Sequence, residues 1–329
     1  MVTSPSSPTV AVLGTGAWGT ALAMVLARHG TPVRLWGYRG DSVAAIATTR
    51  CNEAHLPGFT LSEGIEPTSD LRRAVDGVAA VLIAVPSEAF TPLLDQLRDH
   101  LQPGLPLVWA TKGLGPDGLL GTSVVQALPA HPRAVLSGPS FAAEVAAALP
   151  TAITLAAEDS VTETTLTGLL RGPRFRVYTT RDLVGVQLGG AVKNVIAIAT
   201  GISDGLGLGA NARSALITRG LAEIRRLGQA MGAEDETFSG LAGMGDLVLT
   251  CSDDQSRNRS YGLALGRGNS GGSGTRTIEG SGTAERVVAL ATSYGVELPI
   301  CTQVAAVIEG RRTPAEATEA LMQRGLSRD

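Results

Sequence analysis

Apolar residues fall into two rhythms along the 329-residue chain, and the rhythm changes once. In the first half, short continuous apolar runs alternate with stretches of helical spacing. Residues 9 to 13, TVAVL, form the first run. GTGAWG follows, then an alanine-rich helical stretch from Thr20 to about His29. Gly30 stops that stretch, and Pro32 precedes a second run, VRLW. The order predicts strand, glycine turn, helix and strand, which is a βαβ unit. VAAVLIAVP up to Pro86, LPLVWATKG near residues 105 to 113, RAVLSGPSF, TAITLA and RFRVYTT repeat the strand signal. Continuous apolar strands suit a parallel sheet covered on both faces.

Near residue 182 the character changes. Asp182 to Thr200 reads as one helix with an apolar, small-residue surface, and Arg213 to Met231 as another ended by Gly232. Helical spacing also covers Thr283 to Tyr294 and Pro314 to Arg324. The pattern predicts an α/β sheet domain over residues 1–181 and an all-helical domain over 182–329. The low-complexity stretch GRGNSGGSGT, residues 266 to 275, reads as a flexible surface loop.

Composition narrows the partners. A hydrophobic fraction of 44% with 17% charged residues describes a soluble globular chain. A net charge of −3 gives no electrostatic footprint for nucleic acid, and 4% aromatics leave few platforms for stacking bases. Cys51, Cys251 and Cys301 are scattered, without metal-ligand or disulfide spacing, so no metal site is expected. The opening MVTSPSSPTVAVLG has no basic n-region, and no signal peptide is expected. The longest apolar stretches, such as Val78 to Val85, look far too short to cross a bilayer, so no membrane insertion and a cytoplasmic location are expected.

The glycine turn brings the first chemistry. Gly14-Thr-Gly16-Ala17-Trp18-Gly19 is a GxGxxG between a strand and a helix, the context that gives this motif meaning. Gly14 permits the tight turn, Gly16 lets the backbone approach a pyrophosphate, and Gly19 allows close helix–strand packing. The anion then sits at the helix N-terminus. An NAD-specific site usually has an acid about 20 residues further on for the ribose hydroxyl. Here the second strand ends in Trp36-Gly37-Tyr38-Arg39, with Asp41 beyond it. Arg39 suits a 2′-phosphate, which leans toward NADP(H); a solvated loop charge is the other reading.

Lysine usage brings the second. Of 27 Lys plus Arg, only Lys112 and Lys193 are lysines. Arginine cannot be deprotonated in a protein, whereas a partly buried lysine shifts its pKa readily. Lys193, alone in the apolar GVQLGGAVKNVIAI, therefore reads as a proton carrier. Lys112 ends a predicted strand, where α/β sheets bind ligands. Ser137-Gly138-Pro-Ser140-Phe-Ala142 ends the next; Ser140 reads as a second anion contact or as a plain helix cap. Asp246 is a lone carboxylate in GMGDL. The run Asp253 to Ser260 offers Ser256, Arg257 and Asn258 to a phosphate, unless it is a charged surface loop. Asn211-Ala-Arg213 reads as a helix start. A nicotinamide implies hydride transfer. A protonated lysine can supply the proton that a reduced ketone needs and stabilise its alkoxide. The residues together predict a reductase of a small phosphorylated ketone.

GTGAWGTALA, NEAHLPG, WATKG, SGPSFAAEV, LPTAI, GVQLGGAVKNVIAI, GLGANARSALITRGLAE and GDLVLTC with QSRNR resemble bacterial NAD(P)-dependent glycerol-3-phosphate dehydrogenase. The resemblance spans about residues 9 to 312, and AVKN, GANAR and SRNR together are its specific part. It implies a Rossmann-like domain followed by a helical domain, in a family often dimeric, so a homodimer is an implied partner. It implies reduction of dihydroxyacetone phosphate to sn-glycerol 3-phosphate with NADP(H) or NAD(H), supplying glycerophospholipid synthesis. Lys193 is implied as the general acid/base, with Lys112, Gly138, Ser140, Asp246, Ser256, Arg257 and Asn258 at the substrate. Trp18, Tyr38, Arg39, Lys112, Ala142, Arg257, Thr277 and Glu279 are implied at the cofactor. Ala17 replaces a common serine in the glycine turn, where a backbone N–H contact would serve equally. The segment GRGNSGGSGTRTIEGSG departs from the family pattern in being shorter and glycine-rich.

Two rival readings stay open. A β-hydroxyacid dehydrogenase joins the same kinds of parts but takes a carboxylate, against which the SRNR cluster argues. A non-catalytic pyridine-nucleotide sensor needs the glycines but not Lys193.

Overall fold

The computed structural model describes residues 8–269 and 279–323. They divide into two compact units, one from Met1–Thr111 and Leu120–Leu183, the other from Lys112–Leu119 and Val184–Asp329, each over its described residues.

The first unit is built on eight strands: β1 (Val10–Leu13), β2 (Val33–Trp36), β3 (Ile65–Thr68), β4 (Ala80–Ile83), β5 (Leu107–Trp109), β6 (Arg133–Ser137), β7 (Thr151–Ala157) and β8 (Phe175–Thr180). Their order across the sheet is β3-β2-β1-β4-β5-β6-β7-β8. Pairing is parallel from β3 through β6. β7 then runs antiparallel to β6, and β8 parallel to β7. The apolar run TAITLA is thus a strand, but a reversed one, since apolar patterning carries no direction. Seven helices accompany the sheet: α1 (Ala17–Arg28), α2 (Gly40–Thr49), α3 (Leu71–Val75), α4 (Ser87–Leu97), α5 (Leu120–Ala127), α6 (Ala142–Ala146) and α7 (Ser160–Leu170). α4 shows why such segments fold here: it buries Phe90, Leu93, Leu94 and Leu97, one stripe at helical spacing. α1 starts three residues before the expected Thr20. The strand order reverses at β1, between β2 and β4, the switch point where doubly wound sheets open a crevice for ligands.

The second unit holds eight α-helices among the described residues: α8 (Leu183–Gly205), α9 (Gly209–Ala230), α10 (Asp235–Ser239), α11 (Asp246–Ser252), α12 (Arg257–Gly266), α13 (Glu279–Ser293), α14 (Pro299–Ile308) and α15 (Pro314–Met322). α8 is apolar on every side and buried from Gly185 to Ser203, the signature of a core helix. It corrects one expectation: at 23 residues, with an 18-residue stretch of mean hydropathy 1.4, it is long and apolar enough to cross a membrane, yet 89% of that 18-residue stretch is buried within the protein. Its crossing with α12 is made by glycines. A Cβ on Gly201 would lie 2.1 Å from the Arg259 carbonyl oxygen, and one on Gly262 2.1 Å from that of Ile198. α12 begins inside the Asp253–Ser260 run, which the sequence leaves open between a phosphate contact and a charged surface loop. The Gly/Ser-rich loop expected over 266 to 275 begins later, because Gly266 still belongs to α12; its residues 270–275 lie outside the described ones. Between α10 and α11, Leu241–Gly245 form a π-helical turn, with the Gly245 N–H donating to the Gly240 oxygen at 3.1 Å. Glu223 of α9 accepts from the N–H groups of Ile300 (2.6 Å) and Cys301 (3.2 Å) and so caps α14. A small hairpin, Leu114–Gly115 with Gly118–Leu119, also belongs to this unit. The Arg286 guanidinium of α13 donates to the Leu114 oxygen at 2.7 Å.

Candidate active site

In the first unit, the glycine turn follows β1 at the switch point. Gly14 has φ +125, and its N–H donates to the Trp36 oxygen of β2 at 2.8 Å. A Cβ there would lie 2.5 Å from the Ala84 oxygen just after β4, so backbone strain and space both require glycine. A Cβ on Gly19 would lie 2.1 Å from the Gly14 oxygen, so α1 packs directly on the turn. Gly16 is different: a Cβ on it would meet nothing within 4 Å. It caps α1, whose first turn carries no acid. An open, glycine-floored approach to a 12-residue helix N-terminus is what a pyrophosphate requires, and the residues fit that group. Ala17 and Trp18 are the first two residues of α1; Trp18 Nε1 is buried without a hydrogen bond among the described residues. Tyr38 and Arg39 follow β2, both exposed, with Arg39 capping α2. Gly138 follows β6 with φ +147. Ser140 Oγ donates to the Gly138 oxygen at 2.9 Å, and Phe141 occupies the N-cap of α6 ahead of Ala142. Ser140 therefore does not cap that helix.

In the second unit, three of the predicted polar residues meet. Lys193, in the middle of α8, is buried and donates to Asp246 Oδ1 at 2.5 Å. Lys112 Nζ donates to Asp246 Oδ2 at 2.7 Å. Each carboxylate oxygen thus holds one of the two lysines. A fourth member, Thr250, was missed from the sequence. Its Oγ1 accepts from Lys193 Nζ at 2.8 Å and donates to the main-chain carbonyl oxygen of Asp246 at 2.7 Å. Its signal was available, because four residues on from Asp246 lies on the same helix face. Asn194 is buried beside Lys193, with Nδ2 unpartnered among the described residues. The π turn ends at Asp246 and sets that carboxylate at the first residue of α11. Such turns collect at functional sites.

Burial lowers the Lys193 pKa from 10.5 to about 8; Asp246 opposes the shift and Lys112 adds to it. Burial pushes the neighbouring Cys251 thiol up to about 12, so it is not a nucleophile. No cluster of three or more metal-ligating side chains occurs among the described residues.

The SRNR run divides its duties. Ser256 caps α12 by accepting from the Arg259 N–H at 3.2 Å. Asn258 is buried, and its Oδ1 accepts from the Gly280 N–H at 3.0 Å, joining α12 to α13. Arg257 stands exposed at the first position of α12. Arg259 points inward: it donates to Asp204 Oδ2 at 2.6 Å and also pairs with Asp254. Arg213 reaches the same Asp204 at 3.0 Å; it and Asn211 lie in the first turns of α9, which begins at Gly209. Thr277 lies outside the described residues. Glu279 is the first residue of α13, and its side chain lies outside them too.

Known proteins resemble the chain along its length. A family model described as the N-terminus of NAD-dependent glycerol-3-phosphate dehydrogenase matches residues 9–163, and one described as its C-terminus matches 182–319. A protein of Halorhodospira halophila named glycerol-3-phosphate dehydrogenase (NAD(P)+) is 52% identical over 96% of this chain and 97% of its own. Its namesake in Alkalilimnicola ehrlichii is 53% identical over 95% and 96%. The crystal structure of glycerol-3-phosphate dehydrogenase from Coxiella burnetii superposes with a TM-score of 0.94 at 46% identity, covering 97% of this chain and all of that one. With the glycine turn at the switch point and a buried lysine on an aspartate, these matches establish that the chain belongs to the NAD-dependent glycerol-3-phosphate dehydrogenase family.

Proposed function

We propose that the chain catalyses the reversible NAD(P)H-dependent reduction of dihydroxyacetone phosphate to sn-glycerol 3-phosphate, with Lys193 as its proton carrier. The carrying observation is the buried Lys193–Asp246 pair with Thr250, joined by the half-buried Lys112. The bound nicotinamide supplies the hydride. Lys193 holds the proton that the developing alkoxide must receive, and takes it back in oxidation. Asp246 keeps the ammonium charged at neutral pH while burial brings its pKa within reach of transfer. Thr250 fixes the direction of Nζ. Two ammonium groups against one carboxylate leave a net positive charge, which favours an anionic substrate and the oxyanion formed from it. Gly138, Ser140, Ser256, Arg257 and Asn258 belong to the substrate's phosphate and body in this reading, Arg257 by its exposed guanidinium at a helix N-terminus. Gly14, Gly16, Ala17, Trp18, Gly19, Tyr38, Arg39 and Ala142 belong to the cofactor, as do Lys112, Arg257, Thr277 and Glu279. In this reading the first unit serves as the dinucleotide domain and the second, which takes in Lys112–Leu119 as well as the chain from Val184, as the substrate domain, in place of a single boundary between 181 and 182. The reading extends to a cytoplasmic homodimer that supplies glycerophospholipid synthesis, without membrane insertion; the free, buried thiols of Cys251 and Cys301 suit a reducing compartment.

Loss of NADPH absorbance with dihydroxyacetone phosphate tests the reading. Lys193→Met should lower kcat by about 10²–10⁴-fold while NADPH still binds, read by fluorescence titration. Turnover of a hydroxyacid but not of this ketone would transfer the chain to the hydroxyacid dehydrogenases. Cofactor binding without any turnover would make it a sensor.

A further inference from the structure

We infer that Asn52 is a positioning residue for the cofactor: it pins the Thr15–Gly16 peptide so that the Gly16 N–H faces the dinucleotide's pyrophosphate. The inference rests on the reading of the glycine turn as the cofactor cradle. Asn52 lies outside the GxGxxG, on the short hairpin that pairs Cys51–Asn52 with Leu56–Thr60. It is only 2% exposed. Its Nδ2 donates to the Thr15 oxygen at 2.7 Å and to Thr20 Oγ1 at 2.8 Å, so both amide protons serve the turn and the first helical turn after it.

The consequence follows from peptide geometry. In a planar trans peptide the carbonyl and the next N–H point in opposite directions. Tying the Thr15 oxygen inward to Asn52 therefore aims the Gly16 N–H outward. Gly16 also leaves room for a ligand to approach this backbone, since a Cβ on it would meet nothing within 4 Å. The peptide is also braced from the other side, because the Thr15 side chain sits where a Cβ on Gly37 would be, 2.8 Å from Oγ1. Without Asn52 the peptide can rotate and the half-buried Thr15 oxygen loses this donor. The pyrophosphate would then have to bind a mobile donor rather than a preset one. Thr20 accepts the second proton and so orients the amide, a role one step further from the ligand.

The test compares Asn52→Leu with Thr20→Val in the full chain. NADPH turnover by the natural protein first establishes the underlying reading, so its failure is separate from failure of the inference. Asn52→Leu should raise KM for NADPH about tenfold, with kcat at saturating cofactor and KM for dihydroxyacetone phosphate within about twofold of natural. The loss should recur in the inhibition constant of ADP-ribose, which contains the pyrophosphate, and not in that of AMP, which lacks it. Thr20→Val keeps the Thr15 contact and should leave KM for NADPH within about twofold. If Asn52→Leu does not fold, by circular dichroism, Asn52→Ser replaces it: the serine is too short to reach the Thr15 oxygen. Unchanged cofactor KM in the folded variant overturns the inference. An equal loss in Thr20→Val, or an equal loss for AMP, overturns it too, since either would reduce Asn52 to general support of α1.

Discussion

Lys193 is buried in a helix whose other charged residue, Asp204, stands near its C-terminal end, and its chemistry follows from what reaches it. Burial pulls its pKa down to about 8, and Asp246 keeps it from falling further. Reduction requires the protonated amine and oxidation the neutral one. Ketone reduction at saturating substrates should therefore fall above about pH 8, and glycerol 3-phosphate oxidation should rise through the same range. Lys193→Arg, which cannot give up its proton, should lose both limbs. Paired pH profiles of kcat check this, and profiles flat between pH 7 and 9 would remove Lys193 from the proton path. The sequence made Lys193 conspicuous because arginine had replaced lysine almost everywhere else. It could not reveal that Asp246 lies between both lysines, since Lys112 and Asp246 are 134 residues apart. Nor did it reveal that Arg259 of SRNR faces inward, because its partner Asp204 is 55 residues away.

Elements were legible in proportion to their apolar contrast. β1 and α8 declared themselves, one as a short buried run and the other as a long small-residue surface. α12 did not, because its apolar face is narrow and much of its close packing is glycine on backbone. At the α8–α12 crossing, side chains are replaced by main chain, and the elements approach closer than any Cβ permits. Gly262→Ala should then destabilise by about 1–3 kcal/mol, since its Cβ would fall on the Ile198 oxygen and the helices would have to part. Gly168→Ala in α7, exposed and with nothing within 4 Å, should stabilise by about 0.5–1 kcal/mol. Urea melts of the two variants measure this, and equal effects would show that the crossing is not tight. The π turn before Asp246 was equally unreadable, because LAGMG carries no pattern that separates it from an ordinary helical turn.

At the scale of the molecule, the sequence boundary near residue 181 marks one of three places where the chain passes between units. The other two, after Thr111 and after Leu119, enclose a segment too short for any period to register. In the whole chain Leu114 is fully buried and Leu119 nearly so. In a fragment of residues 8–183 both lose the cover of α13. Leu114→Asp with Leu119→Asp should therefore raise the soluble yield of that fragment and lower the thermal midpoint of the full protein. Opposite signs in the two contexts, read by soluble yield and by thermal melting, are the expected result; the same sign in both would deny the hairpin its place in the second unit.

That hairpin also sets a schedule for the nascent chain. The Arg286 that holds the Leu114 carbonyl is made 172 residues later. At about 5–20 residues per second, Lys112–Leu119 leaves the ribosome and waits on the order of ten seconds or more for the helix that will cover it. The sheet on either side can close in that interval around a loop whose destination does not yet exist, and one of the two lysines on Asp246 waits in it.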